Sequence, residues 1–432
     1  MNHPQRSDAR LRIDAAAIVD GGDIAAAPGV LLLDERGRIV AAGRPEEIGA
    51  TPDVKRLDHR KSVIIPALVN THTHLDLTHI GPQPFSGEFS DWLRFVQAER
   101  THDEALLTAS VRAGVACSLR GGTALVGDIV GNASPVAVAS LAASGLAAVA
   151  FMEVFGIGDR ETHGQERIRT LMHDLPPRLG SARIGIQPHA PYSCARSIYE
   201  AAAATGRPMA THLAESLDEI AFTKGGTGLF IDMLRKLGVG GTGLGRWGVH
   251  PVDHLAPVLS RSRCLVAHLN YLDEAHLDMI CNWPISVAYC PRASVYFGHP
   301  VPSHPQHSYQ AMLDRGMCVA LGTDSIICLD TPDRISVLDE MRLLSRRDGV
   351  DPRILLRMGT VHGAMALGVD PAWFTLQPGP VAGLLSLSIG GDVGTEATVD
   401  DFLAAVMMDD SAPAWVTPPE RAAGCLDGVC KP

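Results

Sequence analysis

The chain has 432 residues, 46% of them hydrophobic and 20% charged, which is enough to bury a large core and fits one large domain with an accessory module. A formal net charge of −11 argues against a nucleic-acid groove or an anionic membrane surface as the main partner and points to a small molecule. No apolar run reaches the ~18 residues of a membrane span, and the opening MNHPQRSDARLR has no apolar signal core, so the expected compartment is the cytoplasm. Nine cysteines, an odd number scattered along the chain, read as reduced thiols. Cys425 and Cys430 have no second pair at ligand spacing and read as tail thiols rather than a zinc ribbon.

In chain order, residues 11–65 alternate short β-rich runs with Gly, Asp and Pro, which predicts a small β module. From Val63 to about residue 369, apolar strands alternate with Ala- and Leu-rich helical stretches. Strands are predicted at 63–71, 123–129, 146–155, 183–189, 208–213, 263–268, 285–290 and 318–323. Helices are predicted at 135–143, 164–174, 196–204, 217–236, 273–282, 308–315, 333–346 and 353–367. Eight strands in βα alternation predict a parallel sheet closed as a (β/α)8 TIM barrel. After Pro378-Gly379-Pro380 the chain reads as short strands again, so the two terminal segments are expected to pair into a small β-sandwich. The expected division is 1–62 and 371–432 for the sandwich and 63–370 for the barrel.

Chemistry-bearing residues fall at the ends of the predicted strands. The first strand runs into His72-Thr73-His74, whose imidazoles share a strand face and can reach one metal. Spacing alone decides nothing, because roughly 0.75 His-x-His pairs arise by chance in such a composition. Position is the informative part, since barrel active sites lie at the C-terminal ends of strands. His212 ends the fifth strand, with Glu215 three residues on; the bland alternative is a buried histidine and a helix-capping glutamate. His268 ends the sixth strand, and Asp324, which alone would read as a helix N-cap, follows the eighth.

The ordered set PALVNTHTHLD, HLAES, VAHLNYL and ALGTDS resembles the amidohydrolase superfamily over about residues 63–369. More narrowly, it is similar to the aminohydrolase branch, which includes cytosine, guanine, adenosine-type and triazine deaminases and related chlorohydrolases. The resemblance implies metal ligands His72, His74, His212 and Asp324, with Glu215, His268 and Asp324 moving protons. It also implies a cofactor of one divalent ion, zinc first, with Fe2+ or Mn2+ suited to the same donors. Such an ion lowers the pKa of a coordinated water from ~16 towards ~7, and the hydroxide so generated is the attacking group. The fourth strand, Ile184-Gly185-Ile186-Gln187-Pro188-His189, has no lysine of the kind that bridges two metals, which favours one.

For the substrate, the resemblance gives His189 a contact role, against the alternative of a core histidine bonded to backbone. Trp92 is read either as flanking a flat heterocycle or as core. Glu99 is read as a contact to ribose hydroxyls or as a solvated surface residue. Cys290-Pro291-Arg292-Ala293-Ser294, with Tyr296-Phe297-Gly298-His299 behind it, looks closest to the aminofutalosine deaminase group, where Arg292 would read a carboxylate rather than pair with a loop acid. The expected function is hydrolytic deamination of a purine-type heterocycle, such as a modified adenosine, in a homodimer. Alternatives are a triazine-type chlorohydrolase or alkylamine hydrolase on the same site, and a non-catalytic metal-binding barrel.

Overall fold

The computed structural model describes residues 8–85, 87, 89–241, 244–301, 306–391, 394, 396–419 and 422–427. The chain divides into two units, one made of Met1–Asn70, Ala116–Leu125 and Asp333–Pro432, the other of Thr71–Val115 and Val126–Pro332.

The first unit is built on one seven-stranded sheet. Leu11–Val19 (β1), Ala25–Ala26 (β2), Gly29–Leu33 (β3), Ile39–Gly43 (β4) and Lys55–Pro66 (β5) come from the N-terminal segment, and Leu384–Ser388 and Ala414–Thr417 from the C-terminal one. The segments pair as expected: Leu384–Ser388 runs antiparallel to β5, with Leu385 opposite Ile65 and Leu387 opposite Val63. Strand residues alternate between faces, so the sheet buries two apolar sets. Ile13, Leu31, Leu33, Ile64 and Leu384 pack in one cluster, and Val30 and Leu32 pack with Ile48 in another. The C-terminal segment departs from the expected run of strands. It contains the helix Val399–Met408, capped by Thr398, whose buried Leu403, Val406 and Met407 recur at helical spacing.

The second unit carries two further sheets, parallel apart from the antiparallel pairing of Arg178–Leu179 with Ala182–Pro188. Leu68–Thr73 (β6) and Thr123–Val130 (β7), of which the last three and the last five residues belong here, begin a five-stranded sheet with Ala147–Val154 (β8), Arg178–Leu179 (β9) and Ala182–Pro188 (β10), in the order β6-β7-β8-β10-β9. Ala210–Leu213 (β11), Cys264–His268 (β12), Ile285–Tyr289 (β13) and Val319–Leu321 (β14) form a four-stranded parallel sheet in chain order. β7, β8, β11, β12 and β14 are buried at every residue, which explains their near-continuous apolar runs, since a parallel sheet has both faces covered. Isolated parallel bridges join Ile186 to Met209 and Thr73 to Asp324. At those two places the Ile186 N–H donates to the Pro208 carbonyl at 2.8 Å, and the Thr323 N–H to the His72 carbonyl at 3.0 Å.

Several predicted elements are corrected. The strand expected at 63–71 is two, broken at Ala67, whose N–H bonds to the Gly383 carbonyl instead of continuing the ladder. The preceding Pro66 offers no donor. The helix expected at 217–236 is two, Leu217–Gly225 and Leu229–Lys236, because Gly226 turns left-handed at φ 62°. The helix expected at 353–367 likewise splits into Pro352–Met358 and Val361–Ala366. Glu104–Arg120 and Pro251–Leu259 form helices absent from the prediction; Pro257 inside the second masks its helical pattern. Eight cysteines are reduced thiols among the described residues, Cys425 among them, while Cys430 lies outside those residues. Among the described residues, no helix is long and apolar enough to cross a membrane.

One glycine couples β14 to β6. A Cβ at Gly322 would lie 2.8 Å from His72 Cβ and 2.9 Å from Cys290 Sγ. Gly322→Ala is therefore expected to lower stability by about 1–3 kcal/mol through overpacking. An unchanged denaturation midpoint would show that the strands have more room than their spacing implies.

Candidate functional site

The ends of the parallel strands deliver one cluster of donors. His72 is the penultimate residue of β6, and His74 follows at i+2. His212 sits within β11, His268 closes β12, and Asp324 follows β14, with its N–H bonded to the His72 carbonyl at 3.0 Å. Ring centroids of His72 lie 5.1 Å from His74, 5.0 Å from His212 and 5.5 Å from His268. Potential ligand atoms of His72, His74 and Asp324 all lie within 4.8 Å of one another, as do those of His72, His212 and His268, and those of Glu215, His268 and Asp324. The triads share members, so the six residues form one interlocked group. None of them is more than 8% exposed.

Burial controls the charge state of this group. It holds His72, His74 and His212 well below the usual imidazole range and His268 at about 3, with neighbouring imidazoles adding to the effect. Neutral rings keep a lone pair, which is the form that binds a metal. The His212 tautomer is fixed by Nδ1–H, which donates to the His189 carbonyl at 3.0 Å and leaves Nε2 as the available donor atom. Among the carboxylates, burial raises Asp324 to about 6, although the Ser325 N–H, 2.7 Å from Oδ1, acts in the opposite direction. Burial raises Glu215 well above the carboxylate range, helped by the charges of Asp324 and Glu219. Glu215 Oε1 lies 3.7 Å from His268 Nε2, and Asp324 Oδ1 lies 3.4 Å from His74 Nε2. Buried neutral imidazoles around a carboxylate suit a divalent ion of the zinc type, and the cluster is a candidate divalent-metal site.

The backbone here is bent at non-glycine positions. Ala214, His268, Leu269 and Asp324 have φ of 50°, 74°, 56° and 59°. Left-handed conformations at such residues persist only when surrounding bonds over-determine them. Here the Leu269 N–H bonds to the Leu213 carbonyl at 3.0 Å and the Tyr271 N–H to the Ala214 carbonyl at 3.3 Å.

The expected substrate contacts are placed unevenly. His189 follows β10 with its ring centroid 5.1 Å from that of His212, and burial holds it at about 3. Its Nδ1 lies 2.7 Å from Ser193 Oγ, and its Nε2 is 3.9 Å from Glu153 Oε1. Trp92 packs in an aromatic cluster, stacked on Phe89 at 5.6 Å and edge-on to Phe297 at 4.8 Å. Glu99 ends the helix Phe89–Glu99 with its side chain exposed, and its carbonyl accepts from His79 Nε2. Arg292 is buried and its Nη1 lies 3.1 Å from Asp330 Oδ1 and 3.0 Å from Thr331 Oγ1, the loop-acid pairing weighed against a substrate role. Glu99 is not among the clustered His and carboxylate side chains.

Sequence reasoning missed several supporting residues. Asp128, near the end of β7, accepts the Leu75 N–H at 2.9 Å and so holds the segment just after His74; burial raises it to about 8. Glu153, near the end of β8, accepts the Asn132 N–H at 3.0 Å and faces both His189 and Arg100. Both are acids inside apolar runs, VGDIV and FMEV, the signal that singled out Asp324. Glu219, fully buried, accepts the N–H groups of Ala214 and Glu215, and Asn270 donates to the Glu215 carbonyl.

Comparison with known proteins agrees with this arrangement. The model of the amidohydrolase family matches residues 63–401. The chain is 27% identical over 365 residues to a 5-methylthioadenosine/S-adenosylhomocysteine deaminase of Syntrophobacter fumaroxidans, covering 81% of this chain and 77% of that protein. It shares its fold with the aminofutalosine deaminase of Helicobacter pylori solved with methylthio-coformycin (TM-score 0.75, 18% identity, 95% of this chain and 99% of the other). It shares it also with an atrazine chlorohydrolase of Arthrobacter aurescens TC1 complexed with zinc (TM-score 0.73, 18% identity, 95% and 96%). With its buried donors gathered at the ends of parallel strands and a match over most of its length, the chain belongs to the amidohydrolase family.

Proposed function

We propose that the protein is a metal-dependent hydrolytic deaminase that removes an exocyclic amine as ammonia from an adenosine-type nucleoside. The observation that carries this reading is the buried group of His72, His74, His212, Glu215, His268 and Asp324. The similarity to a 5-methylthioadenosine/S-adenosylhomocysteine deaminase supports the purine nucleoside as substrate class. In this reading the eight parallel strands β6, β7, β8, β10, β11, β12, β13 and β14 close as a (β/α)8 barrel through the Ile186–Met209 and Thr73–Asp324 bridges. The paired terminal segments form its accessory β-sandwich, with barrel limits near 63 and 370. The enzyme acts in the cytoplasm as a homodimer.

His72, His74, His212 and Asp324 would hold one divalent ion, zinc first. When bound, that ion supplies Lewis acidity and a nucleophilic water near neutral pH. His268 and Asp324 accept the proton of the attacking water and aim it at the amine-bearing carbon. Glu215, kept protonated by burial, donates to the ring nitrogen beside that carbon, takes the proton of the added hydroxyl and passes it to the departing amine, and is reprotonated by the proton that His268 and Asp324 accepted. Water adds, ammonia leaves, and the ring keeps a carbonyl. His189 lies beside the ring of His212, where it contacts the heterocycle edge. Phe85, Phe89, Trp92, Tyr296 and Phe297, which pack together, offer an apolar wall for a flat ring.

Ammonia release should be measured on adenosine, methylthioadenosine, S-adenosylhomocysteine, aminofutalosine, guanine, cytosine and aminotriazines, with metal content determined on the same preparation. Ammonia from an adenosine-type compound, abolished by chelation and restored by zinc, is expected. Turnover confined to chloride or alkylamine loss from a triazine would replace this reading with the chlorohydrolase-type alternative.

Two substitutions test the assigned roles. Glu215→Gln is expected to retain metal and lose 10²–10⁴-fold in kcat, the usual range for a general acid–base group, as about 3–5 kcal/mol of barrier. Near-parent turnover would remove Glu215 from the mechanism. His72→Ala is expected to lose bound metal on elemental analysis, and full occupancy in that variant would overturn the ligand assignment.

A further inference from the structure

We infer that Glu219 and Asn270 are positioning residues for Glu215, an inference that rests on the acid role proposed above. The turn that carries Glu215 is tied at both of its backbone polar groups. The Glu215 N–H donates to Glu219 Oε2 at 3.0 Å, and the Glu215 carbonyl accepts from Asn270 Nδ2 at 3.0 Å. The second Glu219 oxygen, Oε1, accepts the N–H of Ala214 at 2.9 Å. Ala214 is left-handed at φ 50°, so the chain leaving His212 bends sharply just before Glu215. Each bond holds a group that would otherwise be buried without a partner, and together they fix where the Glu215 side chain starts.

The pattern differs from ordinary helix capping. Ser216 is the N-cap of Leu217–Gly225, and its hydroxyl accepts the Glu219 N–H at 3.3 Å. A glutamate at the third helical position of a capping box returns to the N-cap N–H. Glu219 instead reaches past Ser216 to the two N–H groups preceding it, Ala214 and Glu215. The cap alone does not call for that reach. Asn270 is oriented in turn, since its Oδ1 accepts from Ser294 Oγ at 3.2 Å. It also lies two residues past His268, so the proton acceptor and the proton donor of the proposed reaction are joined through one short segment.

Glu219→Gln makes the sharpest perturbation. The two N–H groups bond separate oxygens, so the amide must turn its NH2 towards one of them, donor against donor. Asn270→Ala releases the carbonyl side and serves as an independent variant where Glu219→Gln does not fold. Both are to be compared with the parent and Glu215→Gln for kcat, KM and metal stoichiometry. Each is expected to lower kcat on the order of ten- to a hundredfold, as displaced catalytic groups do, with KM within ~2-fold and metal unchanged. Placed in the Glu215→Gln background, each is expected to add little to the loss, because residues acting through one group are not additive. Parent-like kcat in both variants beside an inactive Glu215→Gln overturns the inference alone. Losses that track metal loss, or that add fully to Glu215→Gln, also overturn it by assigning a general structural role. An active Glu215→Gln overturns the acid role and this inference with it.

Discussion

Desolvation of imidazole is the constraint on which the site depends. A histidine kept from water is disfavoured as a cation, and here four of them stand with ring centroids between 5.0 and 5.7 Å apart around the pairs measured, so protonation at one is opposed by the others as well as by burial. The rings are thereby held neutral with lone pairs available. Neutral donors crowded beside a carboxylate are poorly satisfied by one another and well satisfied by a divalent cation, which is the physical case for a metal site ahead of any family likeness.

The same desolvation acts on the carboxyls with the opposite effect on pKa, again favouring the neutral form. Glu215 is pushed towards its neutral, proton-donating form, while Asp324, partly compensated by the Ser325 N–H, is raised to about 6. Two carboxyls in one cluster are thus separated in acidity by their hydrogen bonds, a division that suits one proton donor and one acceptor. Glu219, at about 7, is held down relative to burial alone by the backbone N–H groups of Ala214 and Glu215 that it accepts.

Geometry at the strand ends depends on local bends that the surrounding bonds enforce. Asp324 at φ 59° and His268 at φ 74° depart from strand conformation as each strand delivers its side chain, and the His72 carbonyl accepts from both Thr323 and Asp324. Gly322 leaves the space in which β14 approaches His72. Strain of this kind is tolerated because the buried backbone groups have no better partners.

Sequence by itself determined the βα alternation, most strand positions to within a few residues, and the donors at strand ends, because a buried parallel strand is a near-continuous apolar run and a histidine or aspartate closing it stands out. It also carried the pairing of the terminal segments. It did not locate the break at Ala67, the left-handed stop at Gly226 or the helix holding Pro257, since each follows from hydrogen-bond partners or packing that local pattern does not encode. Tertiary structure alone decided that Arg292 faces Asp330, that the Glu99 side chain is exposed, and that Glu219 and Asn270, 51 positions apart, grip the same residue. Such contacts are set by where distant strands end, and a single chain read in order contains the ends without the distances between them.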